Sequence, residues 1–517
     1  MQRDRDLRRV EAPPPHAYSW TVKQPERSVA RTSPTVLATL RNPRAFSVEV
    51  LAGIVTTLAL IPEVISFSVI AGVDPKVSLI ASVVLAISMS FLGGRPAMIT
   101  AAAGAVALVV APLVKEHGVE YLLPAVVLAG LIQIVFGVTG LSRLMRFIPR
   151  SVMIGFVNAL GILIFVAQVP HLLGVPWLVY PLFVITVLIV VLLPKLTTAV
   201  PAPLVAIVVV TAITMIAHAT VPTVGDQGDV SGGLPGLTPL LVPLNLETLG
   251  VIWPTALSVA FVGLMETLLT AKLVDDLTDT RSAKGRESWA LGIANILAGW
   301  YGGIAGCAMI GQTVVNVKLG KARTRISTFV AGVFLLLLVT LLSPVMAQIP
   351  MVALAAVMMI VAIKTVDWHS VRPSTLRRMP IPETAVMVVT VVVVVVTRNL
   401  AIGVAGGAVL AMVLFARRVA HVIRVDRVVA DDGASVMYRV RGPLFFGSSN
   451  DLVEQFSYAL DPATVVVDFS DSQIWDASSV AVLDSVEEKY RQHDRSVTFT
   501  GLDERSTAFH GRLSGHL

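Results

Sequence analysis

The chain has 517 residues, 55% of them hydrophobic and only 14% charged, and its mean hydropathy is strongly positive. Soluble domains sit at roughly 45–50% apolar with about a quarter charged, so a purely soluble protein is excluded. The net charge of +6 is carried by a few loops, and a single cysteine, Cys307, rules out an intrachain disulfide or a multi-cysteine metal site.

The N-terminal stretch "MQRDRDLRRVEAPPPH" is charged and proline-rich without an apolar h-region, so residues 1–45 read as a cytoplasmic tail and not as a signal peptide. Apolar runs suited to membrane spans, which need about 20 residues for a ~30 Å hydrocarbon core, follow at 46–71, 77–92, 96–114, 121–141, 149–173, 176–193 and 199–219. The loop at 220–250 holds almost no Lys or Arg. The runs then resume at 251–271, 288–302, 304–319, 326–344, 349–363, 382–398 and 400–419. With the tail inside, the basic stretches "RLMRFIPR", "TRSAKGR", "KLGKARTR" and "HSVRPSTLRR" all fall inside too. The basic excess therefore reports membrane topology and not nucleic-acid binding. Lys76, Lys115 and Arg398 point the other way, but they lie near segment ends, where long side chains snorkel. An even number of segments puts both termini in the cytoplasm and makes this an integral protein of the plasma (inner) membrane.

After about residue 425 the composition becomes that of an ordinary soluble domain. "MYRVRG", "TVVVDFS" and "SVTFTGL" read as strands, and "SSNDLVEQFSYAL" and "SSVAVLDSVEEKYRQH" as capped amphipathic helices. The predicted fold is an all-α polytopic membrane domain over 46–423, with halves at 46–219 and 251–420, followed by a small cytoplasmic α/β domain at 430–517.

Seven segments per half is an odd number, so the second half enters the membrane from the opposite side, giving a 7+7 inverted repeat with its site near the midplane. Such repeats use discontinuous helices at matching positions. The third segment, "GGRPAMITAAAGAVALV", and the tenth, "YGGIAGCAMIGQTVVNVKLG", both begin with glycine pairs and are dense in small residues. Close helix packing alone also uses small residues. The matched positions favour two half-helices.

Glu266, in "FVGLMETLLTAK", lies within the eighth segment with Thr270 one helical turn away, and Glu63 follows Pro62 within the first segment. An ionised carboxylate at membrane depth costs a few kcal/mol or more, which a proton, a cation or a polar partner must offset. First and eighth segments open their halves, so the two acids are roughly pseudosymmetric, and they are candidates for coupling H⁺ or Na⁺. No Lys or Arg lies deep in a span to neutralise an anion, but helix N-termini bind anions through free N–H groups. Half-helices starting near Ala101–Gly104 and Gly306–Met309 make Ala103, Gly104, Gly306, Cys307, Ala308 and Met309 the candidate substrate contacts.

Asp275, Asp276 and Asp279 read as a solvated face, and Asn158, Gln168, Asn295, Gln312 and Asn316 as interhelical hydrogen-bonding groups. His171 sits at an outer helix end without the spacing of a metal ligand. No nucleotide motif appears, so no ATP coupling is expected, and no cofactor beyond H⁺ or a Na⁺ held by Glu266 and Thr270. No nucleophile–base pair at membrane depth suggests an enzyme. The rivals are an uncoupled exchanger or channel, a nucleobase carrier, and a membrane-tethered sensor whose C-terminal domain is the output.

The stretches "EVLAGIVTTLALIPEVISFSVIAGVDP", "GGIAGCAMIGQTVVNVKLGKARTRIS", "IPMVALAAVMMIVAI" and "NLAIGVAGG" resemble the SulP family of anion transporters from about residue 45 onward. The tail "GPLFFGSSNDL…VVVDFSDSQIWDASSVAVLD" is similar to a STAS domain. The resemblance implies transport of a small anion by a homodimer with core and gate domains, working by elevator-like alternating access. It also implies an anion site between half-helices three and ten and a coupling site at Glu266 and Thr270. Many members carry Gly-Pro-Thr-Gly-Ala at half-helix three, whereas this chain has "AAAGA" at 101–105, so Ala103 lacks a threonine hydroxyl. Ser478 stands where related soluble proteins have a phosphorylatable serine, which makes it a candidate regulatory residue toward a cytoplasmic partner. Capping of the following helix is the structural reading of the same serine.

Overall fold

The computed structural model describes residues 34–142, 148–197, 200–228, 236–243, 245–420, 423–431 and 433–514. The expected tail up to residue 33, and residues 143–147 of the first basic loop, lie outside the described residues. Among the described residues, seven helices are long and apolar enough to cross a membrane, with four shorter apolar helices beside them.

The first half contains α1 (Pro43–Ala71), α2 (Pro75–Leu92), β1 (Thr100–Ala102), α3 (Gly104–His117), α4 (Leu122–Thr139), α5 (Arg150–Gln168), α6 (Val179–Leu196) and α7 (Ala202–Ile216). The second contains α8 (Leu246–Thr278), α9 (Lys284–Gly299), β2 (Gly306–Ala308), α10 (Ile310–Val314), α11 (Arg325–Leu341), α12 (Met351–Thr365), α13 (Ile381–Thr397) and α14 (Leu400–Ala420). A π-helical turn, Val315–Leu319, continues α10.

Local chemistry sets the helix ends. Asn42 accepts hydrogen bonds from the Arg44 and Ala45 N–H groups ahead of Pro43, and Gly72 ends α1 in the left-handed conformation. Glu49 on α1 takes the N–H groups of Arg323 and Thr324 at 2.7 and 2.9 Å, placing a carboxylate at the positive start of α11.

Contact clustering divides the chain into two compact units, each drawing on both halves: residues up to 143 with 188–350, and 144–187 with 351 onward. In the first unit α4 packs on α9 through glycine. A Cβ built on Gly130 would come within 2.6 Å of the Gly292 carbonyl oxygen, and one on Gly292 within 2.4 Å of the Gly130 carbonyl. Only hydrogen at both positions lets these backbones meet, the small-residue contact that membrane helices use.

The second unit includes the C-terminal domain, a four-stranded sheet of β3 (Arg424–Val429), β4 (Ser435–Leu444), β5 (Thr464–Ile474) and β6 (Ser496–Thr500), in that order. β3–β4 is antiparallel, and β4–β5 and β5–β6 are parallel. Alternate residues Val436, Tyr438 and Val440 on β4 and Val465, Val467 and Phe469 on β5 share a core with Val480, Leu483, Val486 and Tyr490. The last four follow the helical repeat of the helix Ala477–Arg491. The helix predicted over "SSNDLVEQFSYAL" is shorter than expected and covers only Ser449–Val453. β3 and the final helix, Glu504–Leu513, were not foreseen.

Candidate functional site

The glycine-led third and tenth segments meet as a two-stranded ribbon. β1 and β2 pair antiparallel, with Thr100 opposite Ala308, Ala101 opposite Cys307 and Ala102 opposite Gly306. All six residues are buried. A Cβ on Gly306 would lie 2.2 Å from the Ala101 carbonyl oxygen and 2.4 Å from Leu85, so this rung closes only around glycine.

Ribbon backbone that does not pair across the strands is met by side chains from neighbouring helices. Asn295 of α9 accepts from the Gly306 N–H at 2.7 Å and donates to its carbonyl at 3.2 Å, while also donating to Gln133 Oε1 at 2.9 Å. Thr267 of α8 accepts from the Ala308 N–H at 3.0 Å, and the Thr270 hydroxyl lies 3.1 Å from the Ala308 carbonyl. Ser82 of α2 accepts from the Ala102 N–H at 3.1 Å. Buried backbone groups require such partners. The set locks the ribbon to α2, α8 and α9.

Each strand runs into a helix. Ala103 precedes α3 in an extended conformation, and the first bond of that helix runs from the Ala107 N–H to the Ala103 carbonyl at 2.9 Å. The N–H groups of Gly104, Ala105 and Val106 thus have no helical acceptor, and no side chain caps them. Phe67 of α1 lies over this end so closely that a Cβ on Gly104 would come within 2.6 Å of its ring. Met309 plays the matching part at α10, its own N–H taken by the Ile99 carbonyl at 2.9 Å. Because the strands are antiparallel, α3 and α10 begin at opposite ends of the ribbon.

Both sequence-singled carboxylates bond to the second of these segments. The buried Glu266 of α8 accepts a hydrogen bond from the Cys307 thiol, 2.9 Å from Oε2. Glu63 of α1 pairs with the Gln312 side chain on α10. Thr270 donates to the Glu266 carbonyl at 2.8 Å, so its hydroxyl joins α8 to the ribbon. The structure therefore gathers Glu63, Glu266, Thr270, Ala103, Gly104, Gly306, Cys307, Ala308 and Met309 around one ribbon within one compact unit. Uncapped N–H groups beside buried carboxylates can accommodate an anion and a cation at once.

Other expectations change. Asp275 is not part of a solvated face: it lies 3.0 Å from Arg95, whose side chain is only 3% exposed. Arg95 also reaches Thr280 and Thr278, each at 2.6 Å, and its backbone N–H donates to Glu287 at 2.8 Å. This buried arginine, just before β1, fastens the entry of the ribbon to the end of α8 and the start of α9. Sequence reasoning missed it because charge counting treated it as one more loop residue. Asp276 and Asp279 are exposed, as expected.

Asn316 donates to the Ala97 carbonyl at 2.8 Å, and Asn158 to Ser370 at 3.0 Å, but the buried Gln168 has no partner for its Nε2 among the described residues. Ser478 belongs to the other unit, exposed in the first turn of its helix. It is not the cap: Asp476 is, accepting from the Ser479 N–H at 3.0 Å.

A profile of the Sulfate permease family matches residues 46–192 and 176–390, and a STAS domain profile matches 426–508. The Bacillus subtilis (strain 168) protein named "Putative sulfate transporter YbaR" is 48% identical over 458 residues, 89% of this chain and 95% of its own. Among solved structures, the murine Solute Carrier 26 family member A9 anion transporter in its inward-facing state aligns with a TM-score of 0.78 at 15% identity, covering 90% of this chain and 87% of its own. The transmembrane domain of a cyanobacterial bicarbonate transporter, BicA, aligns with a TM-score of 0.63 at 24% identity, covering 69% and 97%. At these identities the two structures speak to the fold.

Proposed function

Because the chain belongs to the sulfate permease family and ends in a STAS domain, we propose that it is a secondary active symporter of a small anion. The substrate is an inorganic or carboxylate anion of the sulfate, bicarbonate or dicarboxylate class, and H⁺ or Na⁺ drives it. Family membership makes it an integral membrane anion transporter; the coupling and the mechanism are our reading. The observation that carries it is the hydrogen bond from Cys307 to Glu266, which sets a buried carboxylate against the middle residue of the strand leading into a half-helix.

In this reading the anion sits at the uncapped N–H groups of Gly104, Ala105 and Val106, where the helix dipole favours negative charge. Glu266 holds the proton, or with Thr270 and neighbouring carbonyl oxygens a sodium ion, and so offsets the cost of bringing an anion to membrane depth. The donors there are all oxygens, which suits a hard cation. Glu63 is the second acid in the same arrangement, steadied by Gln312.

The site residues all fall within one compact unit, which supports an elevator-like motion that carries the site as a body. A homodimer, a cytoplasmic partner for the STAS domain and a plasma-membrane location with both termini inside complete the proposal. The test is uptake by reconstituted protein against sulfate, bicarbonate, chloride and dicarboxylates, with and without pH or sodium gradients. Saturable flux of one anion class that follows an imposed gradient is expected. Flux that neither saturates nor responds to H⁺ or Na⁺ contradicts the proposal.

A further inference from the structure

Away from the ribbon, the second unit contains a cavity of about 590 Å³ where the start of α5, the start of α13 and the end of α14 come together. Its charged lining is Arg150, Glu383 and Arg418, and its apolar walls include Val386, Met412 and Phe415. Arg150 and Arg418 form no hydrogen bond or ion pair among the described residues. Pro149 offers no side-chain cap to the first turn of α5, so the positive end of that helix also faces the cavity. Glu383 sits in the first turn of its own helix, where the dipole partly offsets its charge. The mouth thus has two free guanidinium groups against one carboxylate.

The walls say what kind of anion fits. Met412 and Phe415 are 57% and 68% exposed, part of an apolar strip that continues up α14 through Val409 and Val413. A free phosphate has no use for such a wall, whereas a phospholipid has both a charged headgroup and an apolar chain. The charged ends of the helices and the exposed apolar strip succeed one another along α14, as headgroup and hydrocarbon do at a bilayer surface. The basic-loop pattern places this end in the cytoplasm, facing the leaflet that carries anionic lipid.

We propose that this cavity is a binding site for an anionic phospholipid, its phosphate held by Arg150 and Arg418 and its acyl chain lying on Met412 and Phe415. A volume of this size is within the range of pockets that hold such ligands, about 300–1,000 Å³.

The experiment reconstitutes the full chain in phosphatidylcholine vesicles containing a minority of phosphatidylglycerol, extracts it, and quantifies retained lipid by mass spectrometry. Phosphatidylglycerol is expected to be retained above its vesicle fraction. Arg150→Gln with Arg418→Gln lowers that enrichment about fivefold or more, the factor corresponding to one lost arginine–headgroup contact. Glu383→Gln raises it, and inorganic phosphate leaves it unchanged. Equal enrichment in wild type and double variant overturns the proposal. So does displacement by inorganic phosphate, or a double variant that changes only the oligomeric state, which would show a second copy of the chain on this face. Should the double variant fail to fold, the opposite-signed effect of Glu383→Gln decides, and no change there overturns the site.

Discussion

With the Glu266 side chain buried in α8, the one side chain that donates to its carboxylate is the Cys307 thiol, 2.9 Å away. A thiol is a weak donor, enough to orient a carboxylate without fixing it in its charged form. A strong cationic partner would hold Glu266 ionised throughout a cycle, whereas a weak one leaves proton or cation exchange accessible. Cys307→Ala removes the donor and Cys307→Ser keeps one. We predict that the pH midpoint of uptake moves upward by about half to one unit in the alanine variant, because the charged carboxylate loses a bond. The serine variant should stay close to wild type. An alanine variant with an unaltered pH profile would show that the thiol only fills space.

At the scale of elements, the ribbon and the STAS sheet use the same device, a buried polar group meeting several partners at once. In the sheet domain, Asp461 accepts from Tyr438 at 2.7 Å, from Tyr490 at 2.6 Å and from Arg427 at 2.7 Å. Burial alone would raise the Asp461 carboxyl, but the bonds from Tyr490, Tyr438 and Arg427 outweigh it and hold the group below its ordinary range. A depressed carboxyl contributes stability that is full above its unfolded value and is lost as the pH falls through its folded value. Asp461→Asn should cost about 1–3 kcal/mol near neutral pH. Calorimetry would read this as a drop of roughly 4–8 °C per kcal/mol in the STAS transition. The gap from wild type should narrow as the pH drops below about 4. A gap that stays constant down to strong acid would rule out the charged form of Asp461 as its source.

The elements also show what the sequence reveals and what it hides. Both glycine-led segments were legible from composition and matched position, and so was Glu266, because an acid in an apolar run is conspicuous. The pairing of β1 with β2 was not, since strands of three residues drawn from Ala, Thr, Gly and Cys carry no alternation to read, and some 200 residues separate them in the chain. Asn295 was expected to bond between helices; that it would satisfy both backbone groups of Gly306 depends on tertiary placement alone. Arg95 and Asp275 looked like loop and surface charges because each partner is distant in sequence. Asp476 outcompeted Ser478 as the helix cap, although a serine there was locally plausible.

For the whole molecule, the mostly helical membrane domain and the C-terminal α/β domain were readable from hydropathy and from the change of composition near residue 425. The division into compact units was not, because each unit recruits helices from both sequence halves and hydropathy says nothing about which helices pack together. What ties the account together is that one unit contains the uncapped helix starts, the ribbon and both carboxylates, so anion and driving cation would travel with the same body.

The most direct measurement compares wild type with Glu266→Gln in proteoliposomes, following net uptake under an imposed H⁺ or Na⁺ gradient and, separately, exchange of labelled for unlabelled anion without a gradient. The account predicts that Glu266→Gln folds, still exchanges anion, and loses gradient-driven accumulation down to its rate without a gradient. Accumulation by Glu266→Gln equal to wild type under the same gradient would contradict it.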